Sequence, residues 1–209
     1  MSGRKGSVLA VLLMLLAVPA ANAAKGNWAF GVTGGGSSPM GDLSDKDKGN
    51  FGTGFSIGGA AEYFVTDALG IGVDGAYNSS SNKESSDFKA KNTEFGAHAL
   101  WMFPTTGSVM PFLKAGVGIG SQKLEFRSDS LGSTEAALSI SKSNPEANGG
   151  VGVDFKANEQ FSIGVEGIYH YGLSKFKLSE VTGDEADDFN WSHISYGARV
   201  MWHFRPAGK

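Results

Sequence analysis

Two side chains near the carboxyl end of the chain have the types and spacing of a nucleophile and its base. His193 and Ser195 are two residues apart, and residues i and i+2 of a β-strand point to the same face. An imidazole beside a hydroxyl could activate that hydroxyl for nucleophilic attack. No acid that would orient the imidazole can be identified, because Asp187 and Asp188 are near His193 only in sequence.

A second set of candidates consists of ionisable side chains spaced among glycine, alanine and serine. They are Glu62, Asp74, Glu94, Asp154, Glu166, Lys114, Lys156 and Arg199, with His98, His170 and His203 in similar positions. A pair such as Glu62 and Asp74 could act as acid and base, but nothing in the spacing favours that role. A charge survives burial only when it is paired and hydrogen-bonded. The role of these side chains therefore depends on whether the segments that carry them point them into the protein or into solvent.

The composition excludes several classes of protein. The chain has 209 residues, 31 glycines and no cysteine. The lack of cysteine excludes disulfides, cysteine-ligated zinc, iron–sulfur clusters and thiol catalysis. The formal net charge of −3 provides no basic field for a nucleic acid. We expect no nucleic-acid partner, no cofactor and no bound metal.

The first 23 residues have the pattern of a secretory signal peptide. Arg4 and Lys5 precede the apolar run 8–18, and the run is followed by Pro19 and the small-residue motif 21–23. This order of a basic start, a short apolar stretch and an A-x-A site is typical of an exported protein. We therefore divide the chain into a signal peptide, 1–23, and one domain, 24–209. A retained membrane anchor is the alternative, but the run is short for a membrane span.

The rest of the chain alternates between two side-chain faces with the period of a β-strand. The predicted strands lie near 27–34, 51–65, 69–78, 94–103, 109–122, 150–156, 161–171 and 194–204. Short links near 66–68, 104–108 and 157–160 alternate with long polar links near 35–50, 79–93, 127–146 and 174–190. Strictly alternating short and long links predict an all-β fold, an eight-stranded antiparallel up-and-down transmembrane β-barrel.

The two faces differ in a way that decides which one points inward. One face is mostly glycine and serine with one or two charges per strand, which suits the cramped interior of an eight-stranded barrel. The other is aliphatic, with aromatic residues near the strand ends, as two bilayer interfaces select. The predicted interface aromatics are Trp28, Tyr63, Tyr77, Trp101, Phe103, Phe161, Tyr169, Tyr171, Tyr196, Trp202 and Phe204. A secreted soluble barrel or sandwich, with the faces reversed, is the alternative.

These faces put the ionisable side chains inside the barrel. We predict a charge network that plugs the lumen, built from Glu62, Asp74, Glu94, Lys114, Asp154, Glu166 and Arg199. Pairing would offset the cost of burying the charges. The alternative is a narrow ion channel that these same residues line.

The whole predicted domain resembles the small eight-stranded outer-membrane barrels, the family around the OmpA transmembrane domain, OmpX and Ail. Residues 195–204 of the last predicted strand are similar to the family's assembly signal, which alternates apolar positions and ends in an aromatic residue, here Phe204. Residues 205–209 follow it, a departure from the family pattern. The resemblance implies an integral protein of a Gram-negative outer membrane, exported to the periplasm, with both termini periplasmic. It also implies recognition by the barrel assembly machinery and contact with membrane lipid and lipopolysaccharide.

The resemblance favours a structural or adhesin-like role without catalysis. Lipid A deacylases among the small barrels carry a His-x-Ser pair, so a lipid A hydrolase that uses His193 and Ser195 stays open as an alternative. Loops on rigid scaffolds often carry function, but the sequences of the long links indicate no particular extracellular ligand. Acidic residues concentrate in two of them, at Asp42, Asp45, Asp47, Glu180, Asp184, Glu185, Asp187 and Asp188. They could bind calcium or magnesium that bridges lipid phosphates, but the ligand spacing of a known calcium loop is absent.

Overall fold

The computed structural model describes residues 25–47, 49–84, 87–126, 138–176 and 189–204. They contain eight strands: β1 (Trp28–Met40), β2 (Gly54–Phe64), β3 (Leu69–Ser81), β4 (Phe88–Met102), β5 (Val109–Phe126), β6 (Leu138–Lys156), β7 (Phe161–Phe176) and β8 (Phe189–Phe204). A single 3-10 turn, Gly41–Leu43, follows β1. Within these ranges, no helix has the length and hydrophobicity needed to cross a membrane.

The strands form one closed sheet in chain order. Each strand pairs antiparallel with the next, and β8 returns to pair with β1 from Trp28↔Phe204 to Met40↔Ser192. Closure leaves the sheet without an edge strand, so the ladder hydrogen bonds run around the whole barrel. The predicted eight-stranded antiparallel up-and-down barrel is confirmed.

Several strands are longer than the alternating pattern predicts. The first strand continues to Met40, beyond the predicted end near 34, and β6 begins at Leu138, not near 150. The extra residues lie toward the rim that carries the long links, where polar residues are frequent on both faces and the apolar alternation weakens. A ladder of backbone hydrogen bonds does not need that alternation, so the strands continue past the last residue that the pattern marks.

The two faces point as the composition predicts. Val32 and Phe95 project outward with 63% and 67% of their surface exposed, whereas Glu62 and Arg199 point inward with 1% and 3% exposed. The apolar face is therefore the outside of the barrel. Its exposed aliphatic and aromatic surface would be costly in water and is suited to hydrocarbon.

The lumen is apolar at both ends and polar in the middle. At the short-turn rim, which carries the links 65–68, 103–108 and 157–160, a buried cluster fills the barrel. It consists of Ala29, Phe64, Leu100, Met102, Met110, Phe112 and Met201. At the opposite, long-loop rim the buried residues are Leu43, Phe51, Ala90, Leu124 and Trp191. Leu43 of the 3-10 turn packs in this second cluster. The Phe51 N–H donates to the Leu43 carbonyl oxygen at 2.9 Å.

Candidate functional site

One arginine joins three carboxylates in the middle of the lumen. Arg199 Nη2 lies 3.2 Å from Glu62 Oε1, and its Nε lies 3.2 Å from Asp154 Oδ1. The third nitrogen, Nη1, donates to Glu166 Oε2 at 3.2 Å. The guanidinium carbon also lies 4.6 Å from the centre of the Phe112 ring. All five donors of a guanidinium lie in one plane, which allows one side chain from β8 to bind acids on β2, β6 and β7.

A lysine and a histidine extend this network. Lys114 Nζ lies 2.5 Å from Asp74 Oδ2, and His98 Nδ1 lies 2.9 Å from the same oxygen. The other ring nitrogen of His98 lies 3.7 Å from Glu62 Oε1. Six of the seven predicted network residues are therefore connected. His98 links the ion pair of Lys114 and Asp74 to the carboxylates around Arg199. We name this set the arginine network: Glu62, Asp74, His98, Lys114, Asp154, Glu166 and Arg199.

The seventh predicted residue, Glu94, lies apart from the arginine network. Its Oε2 is 2.7 Å from His170 Nδ1, and its Oε1 is 3.0 Å from His193 Nε2. Asn78 and Asn92 each donate an amide hydrogen to Oε1, at 2.5 and 3.1 Å. Glu94 thus belongs to a second polar group, nearer the long-loop rim, in which histidine and asparagine side chains surround one carboxylate.

A buried acid next to this group was missed by the sequence pattern. Asn92 Nδ2 and Gln122 Nε2 donate to Glu146 Oε1 at 3.1 and 3.2 Å. The pattern places Glu146 in a long link because β6, the strand that holds it, has no apolar alternation there. The sequence signal for it was the presence of inward amide side chains, Asn92 on β4 and Gln122 on β5. Buried amide groups of this kind require polar partners.

The proposed nucleophile and base do not pair with each other. Ser195 Oγ lies 3.0 Å from His170 Nε2, whereas His193 contacts Glu94. Ser195, His170 and Glu94 are thus arranged as a nucleophile, a base and an acid that orients the base. They border an internal cavity of about 50 Å³, which Asp74, Lys114 and Arg199 also line. A cavity of that size holds a few water molecules, each of which needs roughly 10–15 Å³ of such space, and not an acyl chain.

Comparison of the sequence with known protein families identifies the kind of barrel. The outer membrane protein beta-barrel domain matches residues 9–204. The chain belongs to the outer membrane protein β-barrel family. No curated protein sequence matches it significantly. Membership in this family implies that the barrel lies in an outer membrane.

Solved structures of outer membrane barrels share this fold. Neisserial surface protein A (NspA) is 19% identical, with a TM-score of 0.60 over 86% of this chain and 98% of that one. A major outer membrane protein from Thermus thermophilus is 12% identical, with a TM-score of 0.54 over 85% and 99%. OprG from Pseudomonas aeruginosa is 12% identical, with a TM-score of 0.50 over 88% and 99%. At these identities the likeness establishes the fold alone.

The predicted interface aromatics of the outer membrane barrel lie at the short-turn rim and farther along the strands toward the long-loop rim. At the short-turn rim the Trp28 and Tyr63 rings are 5.1 Å apart, and Phe161 stacks on Trp202 at 6.2 Å. Toward the long-loop rim Tyr169 stacks on Tyr171 at 6.5 Å. The other predicted interface aromatics, Tyr77, Trp101, Phe103, Tyr196 and Phe204, are exposed or half-buried. Rings at both ends of an aliphatic band match the two interfaces of a bilayer.

The remaining sequence candidates lie outside both polar groups. His203 shares a hydrogen bond of 2.9 Å with Ser162 Oγ, and Lys156 is exposed at the short-turn rim. Asp42 Oδ2 accepts from the Asn190 N–H at 3.0 Å. The acids at 180–188 and the signal segment 1–23 lie outside the described residues.

Proposed function

We propose that this outer membrane barrel is a plugged, non-catalytic platform that holds its long loops at the cell surface for structural or adhesive contacts. The observation that supports this best is the filling of the lumen. Apolar side chains occupy both ends, and the arginine network occupies the middle. A barrel of eight strands leaves room inside only for side chains.

The same packing argues against the two alternatives. A channel needs a continuous polar path, but an ion here would have to cross Phe64, Leu100 and Phe112, each at most 2% exposed. A lipid A hydrolase needs space for its substrate at Ser195, and the adjoining cavity of about 50 Å³ is too small for an acyl chain. Both functions would require the lumen to be repacked.

Its partners, under this proposal, are the membrane lipid and lipopolysaccharide around the aliphatic band, and the assembly machinery that inserts the barrel. An extracellular ligand would meet the long loops. The segment between β7 and β8, 177–188, has five acidic residues in its sequence. Acidic side chains make this segment suited to a cationic surface or to cations that bridge lipid phosphates.

Reconstituted in planar bilayers, the purified barrel should show no discrete conductance steps. The charged side chains are tied to one another, and apolar side chains close both ends of the lumen. A general porin added to the same membrane is the control that detects insertion and recording. Reproducible single-channel steps from the purified chain would overturn the plugged-lumen part of the proposal.

Attachment of bacteria to matrix-coated plastic tests the surface role. Cells that produce the chain should attach more than cells that lack it. Replacing residues 177–188 by a short glycine–serine linker should return attachment to the background level. The matched control is Glu159→Ala, an exposed residue in a turn at the other rim, which should leave attachment unchanged. Each variant must still migrate differently on gels before and after heating, as folded outer-membrane barrels do. Equal attachment by linker variant and unmodified chain would contradict the adhesive role.

A further inference from the structure

We infer that Glu94, His170 and His193 form a binding site for one divalent transition-metal cation of the zinc class inside the barrel. The three residues come from β4, β7 and β8, and each offers one ligand atom within 4.8 Å of the others. Neither the plugged platform nor the family assignment requires a cation at this place. The sequence composition led us to expect none.

The donor set selects the class of cation. Two imidazole nitrogens and one carboxylate oxygen are ligands that zinc accepts, with a fourth position left for water. Imidazole also suits copper, nickel and cobalt, whereas calcium and magnesium prefer oxygen ligands alone. The cavity of about 50 Å³ that borders Glu94 and His170 has room for the water molecule.

Neighbouring residues already hold the ligands in the orientation that a cation needs. His170 and His193 are direct cross-strand partners on β7 and β8, and their rings are parallel, with centres 4.4 Å apart. The Nε2 atom of His170 lies 3.0 Å from Ser195 Oγ, which leaves Nδ1 to face Glu94. For His170, this hydrogen bond on the second ring nitrogen is the usual support of a metal-binding histidine. Asn78 and Asn92 fix the carboxylate through Oε1 and leave Oε2 toward His170.

The group has an unmet polar requirement when it contains no cation. His193 is 3% exposed, and neither its Nε2 nor His170 Nδ1 makes a well-aligned hydrogen bond among the described residues. Both nitrogens face the Glu94 carboxylate, at 3.0 and 2.7 Å, so each must carry a hydrogen there when no cation is bound. A divalent cation replaces those two hydrogens and accepts both nitrogen lone pairs. The cation would also tie β4 to β7 and β8 across the lumen.

Zinc titration of the detergent-solubilised full barrel tests the site. The protein is stripped with a chelator, and zinc binding is followed by calorimetry. Cobalt binding is followed by its visible absorption, which reports the ligand geometry. We expect one cation per chain, and a higher urea midpoint of unfolding with zinc present. His170→Asn and His193→Asn should each weaken zinc binding by at least about tenfold. The matched control is His203→Asn, another lumen histidine bonded to a serine, which should change the affinity less than twofold.

Three results would overturn the site. The first is the absence of stoichiometric zinc binding by the unmodified barrel. The second is binding that persists in both His170→Asn and His193→Asn, or that falls equally in His203→Asn, because the cation would then bind elsewhere. The third is an X-ray absorption spectrum of the zinc-loaded unmodified barrel that shows oxygen ligands only, whereas the site predicts imidazole ligands. This measurement needs no variant, so it tests the site even if the variants fail to fold.

Discussion

Replacing Arg199 by methionine should lower the free energy of unfolding of the barrel by about 3–5 kcal/mol, the range for removing one partner of a buried ion pair. Methionine preserves much of the side-chain volume and the contact with Phe112. It removes the cation that lies 3.2 Å from each of Glu62, Asp154 and Glu166. These acids would then be enclosed with far less compensating charge, and that uncompensated burial produces the loss.

Urea unfolding of the barrel in phospholipid vesicles, followed by tryptophan fluorescence, measures this change. The matched control is Lys123→Gln, which removes an ion pair of 2.9 Å at the barrel surface, where Lys123 is 42% exposed. It should cost at most about 1 kcal/mol. Adding Glu62→Gln and Asp154→Asn to Arg199→Met should restore part of the stability, because both substitutions remove uncompensated charge. If Arg199→Met costs no more than Lys123→Gln, the arginine network does not stabilise the barrel.

The periodicity of the sequence was sufficient to predict the fold. Period-two alternation and the strict alternation of short and long links predict eight antiparallel strands in chain order, and the barrel has that order. The same alternation predicts which face carries Arg199 and which carries Val32. Both statements depend only on neighbouring residues and neighbouring strands, which is the information that a pattern contains.

Contacts across the lumen could not be predicted in the same way. Arg199 is on β8, whose sheet neighbours are β7 and β1, yet it reaches Glu62 on β2 and Asp154 on β6. Which inward side chains meet across the barrel depends on strand tilt and shear, and a list of faces does not give these quantities. For that reason the face pattern groups Glu94 with Arg199, although Glu94 lies among histidines of β7 and β8. The pattern also does not predict the apolar ends of the lumen, because glycine and serine are the most frequent residues of the inner face.

At the seam between β1 and β8, one added methyl group should be strongly destabilising. Gly197 on β8 pairs with Gly35 on β1. A Cβ at Gly197 would overlap the Gly34 carbonyl oxygen and lie 3.0 Å from the Gly35 Cα atom. These are backbone atoms held by the ladder, so they cannot move aside as a flexible side chain would. Gly197→Ala should therefore cost about 1–3 kcal/mol or more of unfolding free energy, the range for overpacking.

Gly34→Ala is the matched control for this prediction, because it adds the same methyl group to the facing strand of the same seam. Gly34 points outward, and a Cβ there meets no atom within 4 Å. Gly34→Ala should leave both the urea midpoint and the heat-dependent gel shift unchanged, whereas Gly197→Ala should reduce both. Equal behaviour of the two variants would contradict the close approach of β8 to β1. The asymmetry matters because separating these strands opens two unpaired sheet edges, and hydrocarbon offers their backbone groups no hydrogen-bond partners.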